Sequence, residues 1–393
     1  MNKKTIENID VRGKRVIARV DYNVPIEGDK ITDDARIVKT LPTVKYLIKQ
    51  KAKIILMAHL GRPKGKKDPK YTLKPVADHL AKLLGQPVKF VPDCIGEIAQ
   101  RETANLKEGE VVLLENLRFY AEEEKNDDNF SKQLASLGEV YVNDAFGAAH
   151  RAHSSTAGIA KYLPAVAGYL LAKEIEYFDK ALQNPEKPFL AILGGAKVVD
   201  KIKVIENLMT KVDSLLIGGA MAYTFLKAQG HTIGKSLFDA EGFDVAKSLL
   251  EKAKQMKIQM LFPVDHVISD KVEAGAPTQL CGIDIPEGKL GVDIGPKTVD
   301  QFTNVLKNAK TVIWNGPLGV FEIPAFSNGT KKIAEFLGDL KQATRIVGGG
   351  ETAAACTEFG VEEKMSHVST GGGASLEYLE GKVLPGVDAL LNK

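Results

Sequence analysis

Short apolar runs recur along the chain in two series, and between them lie segments whose apolar residues return every three or four positions. The first series is Arg15–Val20, Lys53–Met57, Glu110–Leu114 and Glu139–Val142. The second is Phe189–Leu193, Ser214–Ile217, Thr311–Trp314, Thr344–Val347 and Met365–Val368. These runs are continuous in Val, Ile and Leu and do not alternate with polar residues, which is the pattern of parallel strands covered on both faces. Leu73–Leu84 and Phe243–Met256 are among the intervening segments with helical spacing. Strand and helix in alternation predict an α/β fold, and two series predict two doubly wound parallel sheets of Rossmann-like type.

The segment Leu171–Gln183 is charged and helix-prone, and Asn184, Pro185 and Pro188 follow it. A helix that ends at such a break reads as a connector. The expected organisation is therefore an N-terminal domain over 1–170, a connecting helix over 171–184 and a second domain from 185 onward. No low-complexity tract or short-period repeat interrupts this plan.

Composition narrows the function classes. With 393 residues, 44% of them hydrophobic and 26% charged, the chain can bury more than one core and is not a disordered one. A net charge of +3 gives no bulk attraction to nucleic acid or membrane. Residues 1–165 carry a net +6 and the remainder −3; a basic first half suits an anionic ligand, although ordinary surface lysine produces the same balance. Cys94, Cys281 and Cys356 are far apart and form no CxxC pair, which fits a reducing compartment and neither a disulfide framework nor a zinc ribbon. The opening Met-Asn-Lys-Lys-Thr-Ile leads into a polar segment, and no apolar run reaches the ~18 residues of a membrane span. A cytoplasmic location is the expectation.

The residues after each strand carry the chemistry, because strand ends in open α/β sheets face the ligand crevice. In the first half these are polar and charged: Asp21 and Asn23, His59 and Arg62, Glu115 and Arg118, Asp144, His150 and Arg151. In the second half they are glycines: Gly194-Gly195, Gly218-Gly219, Asn315-Gly316, Gly348-Gly349-Gly350 and Gly371-Gly372-Gly373. The first set suits a charged metabolite, and the second suits backbone amides brought close to phosphates.

Each motif has a plainer reading beside it. A single glycine turn serves backbone geometry alone; five in one predicted domain point to anion binding, with Gly371-Gly372-Gly373 opening a helix-like stretch. Gly348-x-Gly350-x-x-Ala353 fits a relaxed dinucleotide fingerprint, but it lies near the end of the chain and not in a first βαβ unit. Gly234-Lys235-Ser236 has the tail of a Walker loop, but Gln229 stands where its first glycine belongs. Arg36, Arg62, Arg118 and Arg151 with His59 could each be a surface ion pair, and it is their convergence on one crevice that would make an oxyanion site. His150 and His153 have i, i+3 spacing without the HExxH or cysteine context of zinc. Cys356 reads as a packed core residue. Lys197 and Lys201 follow Gly194-Gly195, and a lysine just past a glycine turn can reach a transferring phosphoryl group.

The sequence resembles the phosphoglycerate kinase family over essentially its whole length. The resemblance rests on Arg19-Val-Asp-Tyr-Asn-Val-Pro25, Ala58-His-Leu-Gly-Arg-Pro63, Leu114-Glu-Asn-Leu-Arg-Phe119 and Asp144-Ala-Phe-Gly-Ala-Ala-His-Arg-Ala-His153. In the second half it rests on Gly194-Gly-Ala-Lys-Val198, Trp314-Asn-Gly-Pro-Leu-Gly-Val-Phe-Glu322 and Ser369-Thr-Gly-Gly-Gly-Ala374. It implies phosphoryl transfer between ATP and 3-phosphoglycerate, giving ADP and 1,3-bisphosphoglycerate. By the same match, Asp21, Asn23, Arg36, His59, Arg62, Arg118 and Arg151 would hold phosphoglycerate. Gly195, Lys201, Gly291, Glu322 and Gly349, Gly350, Glu351 and Thr352 would bind the nucleotide, with Glu322 on the ribose. Arg36, Lys197 and the amides of Gly371, Gly372 and Gly373 would neutralise the transferring group. The nucleotide-binding domain would run over 185–374, and the segment 375–393 would return to the first domain. Mg²⁺ on the nucleotide is implied, as is a monomer. One position departs from the pattern: Glu351 stands where the family usually has the Asp that helps hold Mg²⁺. Tyr22, Ala58 and Ala148 are milder departures.

The implied acceptor is a carboxylate, ionised near neutral pH, so no general base is needed. In-line positioning and positive charge are what the transfer requires, with closure of the two domains to exclude water. Two other readings remain at this stage. An NAD-dependent dehydrogenase would use the Gly348 fingerprint, and a two-domain metabolite-binding protein would need no Lys197 at a second ligand.

Overall fold

The computed structural model describes residues 2–393. It forms two compact units, one of residues 1–176 with 383–393 and one of residues 177–382.

The first unit is built on six parallel strands in the spatial order Val88–Val91, Val111–Leu114, Lys53–Met57, Arg15–Val20, Val140–Asp144 and Ala165–Ala167. The chain enters at the central strand Arg15–Val20, moves outward one way, and crosses to Val140–Asp144 on the other side. The strand order therefore reverses beside Arg15–Val20, and a ligand crevice is expected outside the carboxyl ends there. Val16, Ile17, Ala18, Ile54, Ile55, Leu56, Val142 and Leu113 are fully buried, because helices cover both faces and each β-branched side chain finds a packed neighbour. The helix Lys74–Leu84 shows the local signals plainly: Pro75 opens it, and Gly85 at φ +67 closes it.

The chain's last residues belong to this unit. Lys4 N donates to Leu391 O at 2.8 Å, Lys393 N to Asn2 O at 2.8 Å, and Asn143 Nδ2 to Gly386 O at 3.0 Å. The return begins at Val383, whereas Ser375–Lys382 groups with the second unit.

The second unit repeats the plan with the order Gln259–Leu261, Ser214–Ile217, Phe189–Leu193, Thr311–Asn315, Thr344–Gly348 and His367–Val368, all parallel. Its strand order reverses between Phe189–Leu193 and Thr311–Asn315. A core of Leu190, Ile192, Phe302, Val312, Trp314 and Ile333 fills the space between sheet and helices. A small antiparallel sheet of Gln279–Cys281, His266–Ser269 and Leu290–Ile294 is added to it. The α/β class with two parallel doubly wound sheets is thus as the apolar runs predict. The helix Tyr169–Gln183 covers the predicted connector. Among the described residues, no helix is long and apolar enough to cross a membrane.

Candidate active site

Four strand ends of the first unit carry the polar set. Directly after Arg15–Val20 comes Asp21, only 5% exposed, whose Oδ2 accepts from Arg36 Nη1 at 2.9 Å. Arg36 sits in the first turn of the helix Ala35–Lys49. Asn23 Oδ1 accepts from the Gly61 amide at 2.8 Å, and Gly61 O accepts from Arg118 Nη1 at 2.9 Å. The loop after Lys53–Met57 is thereby held between residues from two other strand ends. Asn116 ties the same loop down further, with Nδ2 donating to Leu60 O at 2.7 Å and Oδ1 accepting from Arg118 N at 3.0 Å.

His59 is 7% exposed and lies among cations. Burial, followed by the guanidinium charges of Arg19, Arg118 and Arg36, holds its imidazole well below the ordinary histidine range. His153 is pushed down to about 4 by burial and by Arg118, Arg19 and Arg151. Arg36 and Arg118 thus stand near enough to His59, and Arg118 and Arg151 near enough to His153, for their charges to act on the rings. Arg151 is exposed and donates to His150 Nε2 at 3.1 Å. Arg62 is exposed beside Gly61. No group of three or more His, Cys, Asp or Glu side chains able to hold a metal occurs among the described residues.

In the second unit, the glycines let three turns interlock. A Cβ on Gly194 would stand 2.0 Å from Pro317 O, one on Gly219 2.7 Å from Gly195 N, and one on Gly316 2.2 Å from Gly194 O. These glycines are required by backbone touching backbone. Gly350 and Gly372 differ, since a Cβ at either meets nothing within 4 Å. The interlock is tied to the next strand end by side chains. Lys201 Nζ donates to Asn315 Oδ1, Asn315 Nδ2 donates to Gly348 O at 2.9 Å, and Gly316 N donates to Thr352 Oγ1 at 2.7 Å. Burial draws the Lys201 ammonium downward, against the Glu351 carboxylate, which raises it.

Gly349, at φ +94, precedes the helix Gly350–Glu358, and exposed Glu351 lies in its first turn. Gly371 N donates to Ser369 Oγ at 3.1 Å, and the helix Gly373–Leu379 follows. Lys197 is exposed on the turn after Gly194-Gly195. Gly291 and Glu322 are not part of the interlock itself. Gly291 N donates to Ser236 Oγ at 2.9 Å, and a Cβ there would stand 2.1 Å from Tyr223 Oη. Its strand bonds the segment leading to exposed Glu322 through Val320 N and Val292 O at 2.9 Å.

Sequence reading assigned no role to Arg19, Glu123 and Ser155, which lie behind His59, or to Asn315, which organises the glycine turns. A signal existed for Arg19: a charged residue inside an otherwise apolar strand run, which ends up 1% exposed.

The sequence profile described as phosphoglycerate kinase matches residues 6–382. Phosphoglycerate kinase of Dictyoglomus turgidum is 57% identical, with all of both chains covered. That of Borrelia hermsii is 54% identical over 99% of this chain and 100% of the relative. Among solved structures, phosphoglycerate kinase from Coxiella burnetii superposes with a TM-score of 0.91 at 42% identity, over 98% of each chain. The Pyrococcus horikoshii enzyme does so at 0.85 and 33%, over 98% of each chain.

Proposed function

The chain belongs to the phosphoglycerate kinase family, and on that premise we propose how its two units divide the reaction. The enzyme moves a phosphoryl group between ATP and the carboxylate of 3-phosphoglycerate. The dehydrogenase and binding-protein readings fall with that membership. The first unit holds phosphoglycerate through Asp21, Asn23, Arg36, His59, Arg62, Arg118 and Arg151. The second holds the nucleotide through Gly195, Lys201, Gly291, Glu322 and Gly349, Gly350, Glu351 and Thr352. The observation that carries this reading is the contrast between the two switch points: arginines and a buried histidine at one, interlocked glycine turns with a half-buried lysine at the other.

In the forward direction a carboxylate oxygen attacks the γ-phosphorus, the bond to the β–γ bridging oxygen breaks, and ADP leaves with the electron pair. No proton is transferred, so the residues serve charge and alignment. Arg36 and Lys197 neutralise the equatorial oxygens, aided by the amides of Gly371, Gly372 and Gly373. In-line transfer needs both ligands aligned and competing water kept away.

Magnesium takes oxygen ligands, keeps several waters, and is commonly bound by one or two carboxylates together with substrate phosphates. Glu351 fits that requirement: it is exposed, in the first turn of a helix, and close enough to Lys201 to influence it. It would hold Mg²⁺ brought in on the nucleotide, and the ion would supply further neutralising charge. We take the enzyme to act as a monomer on small-molecule substrates, as the family resemblance implies, and in the cytoplasm, a location supported by three unpaired cysteines.

The test is an assay with ATP, Mg²⁺ and 3-phosphoglycerate, coupled to NADH loss through glyceraldehyde-3-phosphate dehydrogenase. Activity in the wild type that collapses in Lys197→Ala supports the reading. Full activity in that variant removes Lys197 from the catalytic set.

A further inference from the structure

Behind His59 lies a buried chain of polar groups that the substrate-binding set does not include. Arg19 uses every nitrogen of its guanidinium. Nη2 meets His59 Nδ1 at 2.8 Å, Nε donates to Ser155 Oγ at 3.0 Å, and Nη1 donates to Val20 O. Ser155 in turn donates through its hydroxyl to Glu123 Oε1 and through its amide to Glu123 Oε2 at 3.0 Å. Arg19 and Glu123 are each 1% exposed. The cation is therefore fixed in orientation and balanced by a carboxylate one hydroxyl away.

A guanidinium has donors only. Its bond to His59 Nδ1 requires a lone pair on that nitrogen. The ring proton must then sit on Nε2, and a second proton on Nδ1 would oppose the Arg19 N–H. We propose that Arg19 is a positioning residue that fixes His59 as the neutral imidazole protonated on Nε2, a directional hydrogen-bond donor to an oxyanion of the substrate. The surroundings favour the same state: the charges facing the ring are Arg19, Arg118 and Arg36, with His153 beyond, and the Glu123 carboxylate is engaged by Ser155 and lies 3.9 Å from His153 Nδ1. His59 then contributes geometry, and the arginines contribute charge. Substrate recognition by His59 stays constant across the range of about pH 5.5 to 8 in which an ordinary histidine changes charge. The functional part of this inference rests on the assignment of His59 to the phosphoglycerate site.

The experiment reads the ring directly. Long-range ¹H–¹⁵N correlation spectra of the ligand-free, full-length enzyme would be recorded from about pH 5.5 to 8, with His59→Ala identifying the His59 signals. The KM for 3-phosphoglycerate would be measured over the same range. The wild type is expected to show a protonated Nε2 and an unprotonated Nδ1, unchanged with pH. Arg19→Met, which leaves the burial and the other two guanidinium charges in place, is expected to give mixed tautomers and a KM about tenfold higher. Arg19→Lys, which keeps a donor without an acceptor, is expected to restore part of the Nε2–H population. A wild-type proton on Nδ1, or titration of wild-type His59 in this range, overturns the proposal. So does an Arg19→Met enzyme with an unchanged tautomer. If Arg19→Met does not fold, the wild-type spectrum and Arg19→Lys still decide. An unchanged KM in His59→Ala would overturn the substrate-contact assignment instead, and it is distinguishable because the tautomer is read without substrate.

Discussion

Arg36 Nη1 donates a 2.9 Å hydrogen bond to Oδ2 of Asp21, with the Asp21 side chain 8% exposed and that of Arg36 41% exposed. The buried carboxylate thus orients a guanidinium that otherwise faces solvent. Arg36→Ala is expected to lower kcat by about 10²–10³-fold, the usual loss of a group that stabilises transition-state charge. Asp21→Asn keeps the shape but loosens the pair, and is expected to cost less, about tenfold. Steady-state kinetics with circular dichroism as a fold control would check both. An Arg36→Ala enzyme with normal kcat would remove Arg36 from the catalytic set.

The glycines separate into two kinds by what a methyl group would meet. Gly219 has φ +65, and its Cβ would stand 2.7 Å from Gly195 N and 2.8 Å from Pro317 O. Gly219→Ala is expected to destabilise the protein by about 3 kcal/mol, through strain and overpacking together. Gly350 has open space in place of such a neighbour. Gly350→Ala is expected to leave thermal stability within about 0.5 kcal/mol of wild type yet raise the KM for ATP about tenfold. Thermal melts beside KM determinations test this contrast, and equal stability losses in the two variants would refute it.

Glu351 offers a carboxylate one methylene longer than aspartate at the start of the helix Gly350–Glu358. Glu351→Gln is expected to raise the Mg²⁺ concentration needed for half-maximal turnover about tenfold, with phosphoglycerate KM unchanged. Glu351→Asp should retain most of the wild-type response. An unaltered Mg²⁺ dependence in Glu351→Gln would show that the ion is held without this residue.

Asp144 ends the strand Val140–Asp144 and is fully buried, its Oδ1 accepting from Leu171 N at 3.1 Å. Burial pushes its carboxyl up to about 7. A carboxyl with a raised folded-state value contributes stability that is fully present below about 4 and is lost as pH rises through about 7. Asn cannot titrate. The stability of Asp144→Asn relative to wild type is therefore expected to rise by about 3 kcal/mol between about pH 5 and 8. Urea melts at several pH values measure it, and the paired comparison removes titrations common to both proteins. A difference independent of pH would mean that Asp144 stays ionised throughout.

The sequence alone determined the central strands and the family. Arg15–Val20, Lys53–Met57, Phe189–Leu193 and Ser214–Ile217 are strands over the same residues as their apolar runs, because a central parallel strand is buried on both faces and must be apolar throughout. The edge strands Val88–Val91, Ala165–Ala167 and Gln259–Leu261 escaped such reading, since they are short and, for Val88–Val91 and Gln259–Leu261, partly exposed. Of the arginines proposed to face substrate, Arg62, Arg118 and Arg151 were legible because they follow strand ends within recognisable motifs. The relay behind them was not. Arg19 meets His59 across 40 residues and Ser155 across 136, and Ser155 meets Glu123 across 32. Those encounters are decided by sheet register, which sets Arg19 beside Met57 and Asn143. Local sequence carries propensity and burial period; which buried charge finds which partner depends on how distant strands align, and only the tertiary structure fixes that alignment.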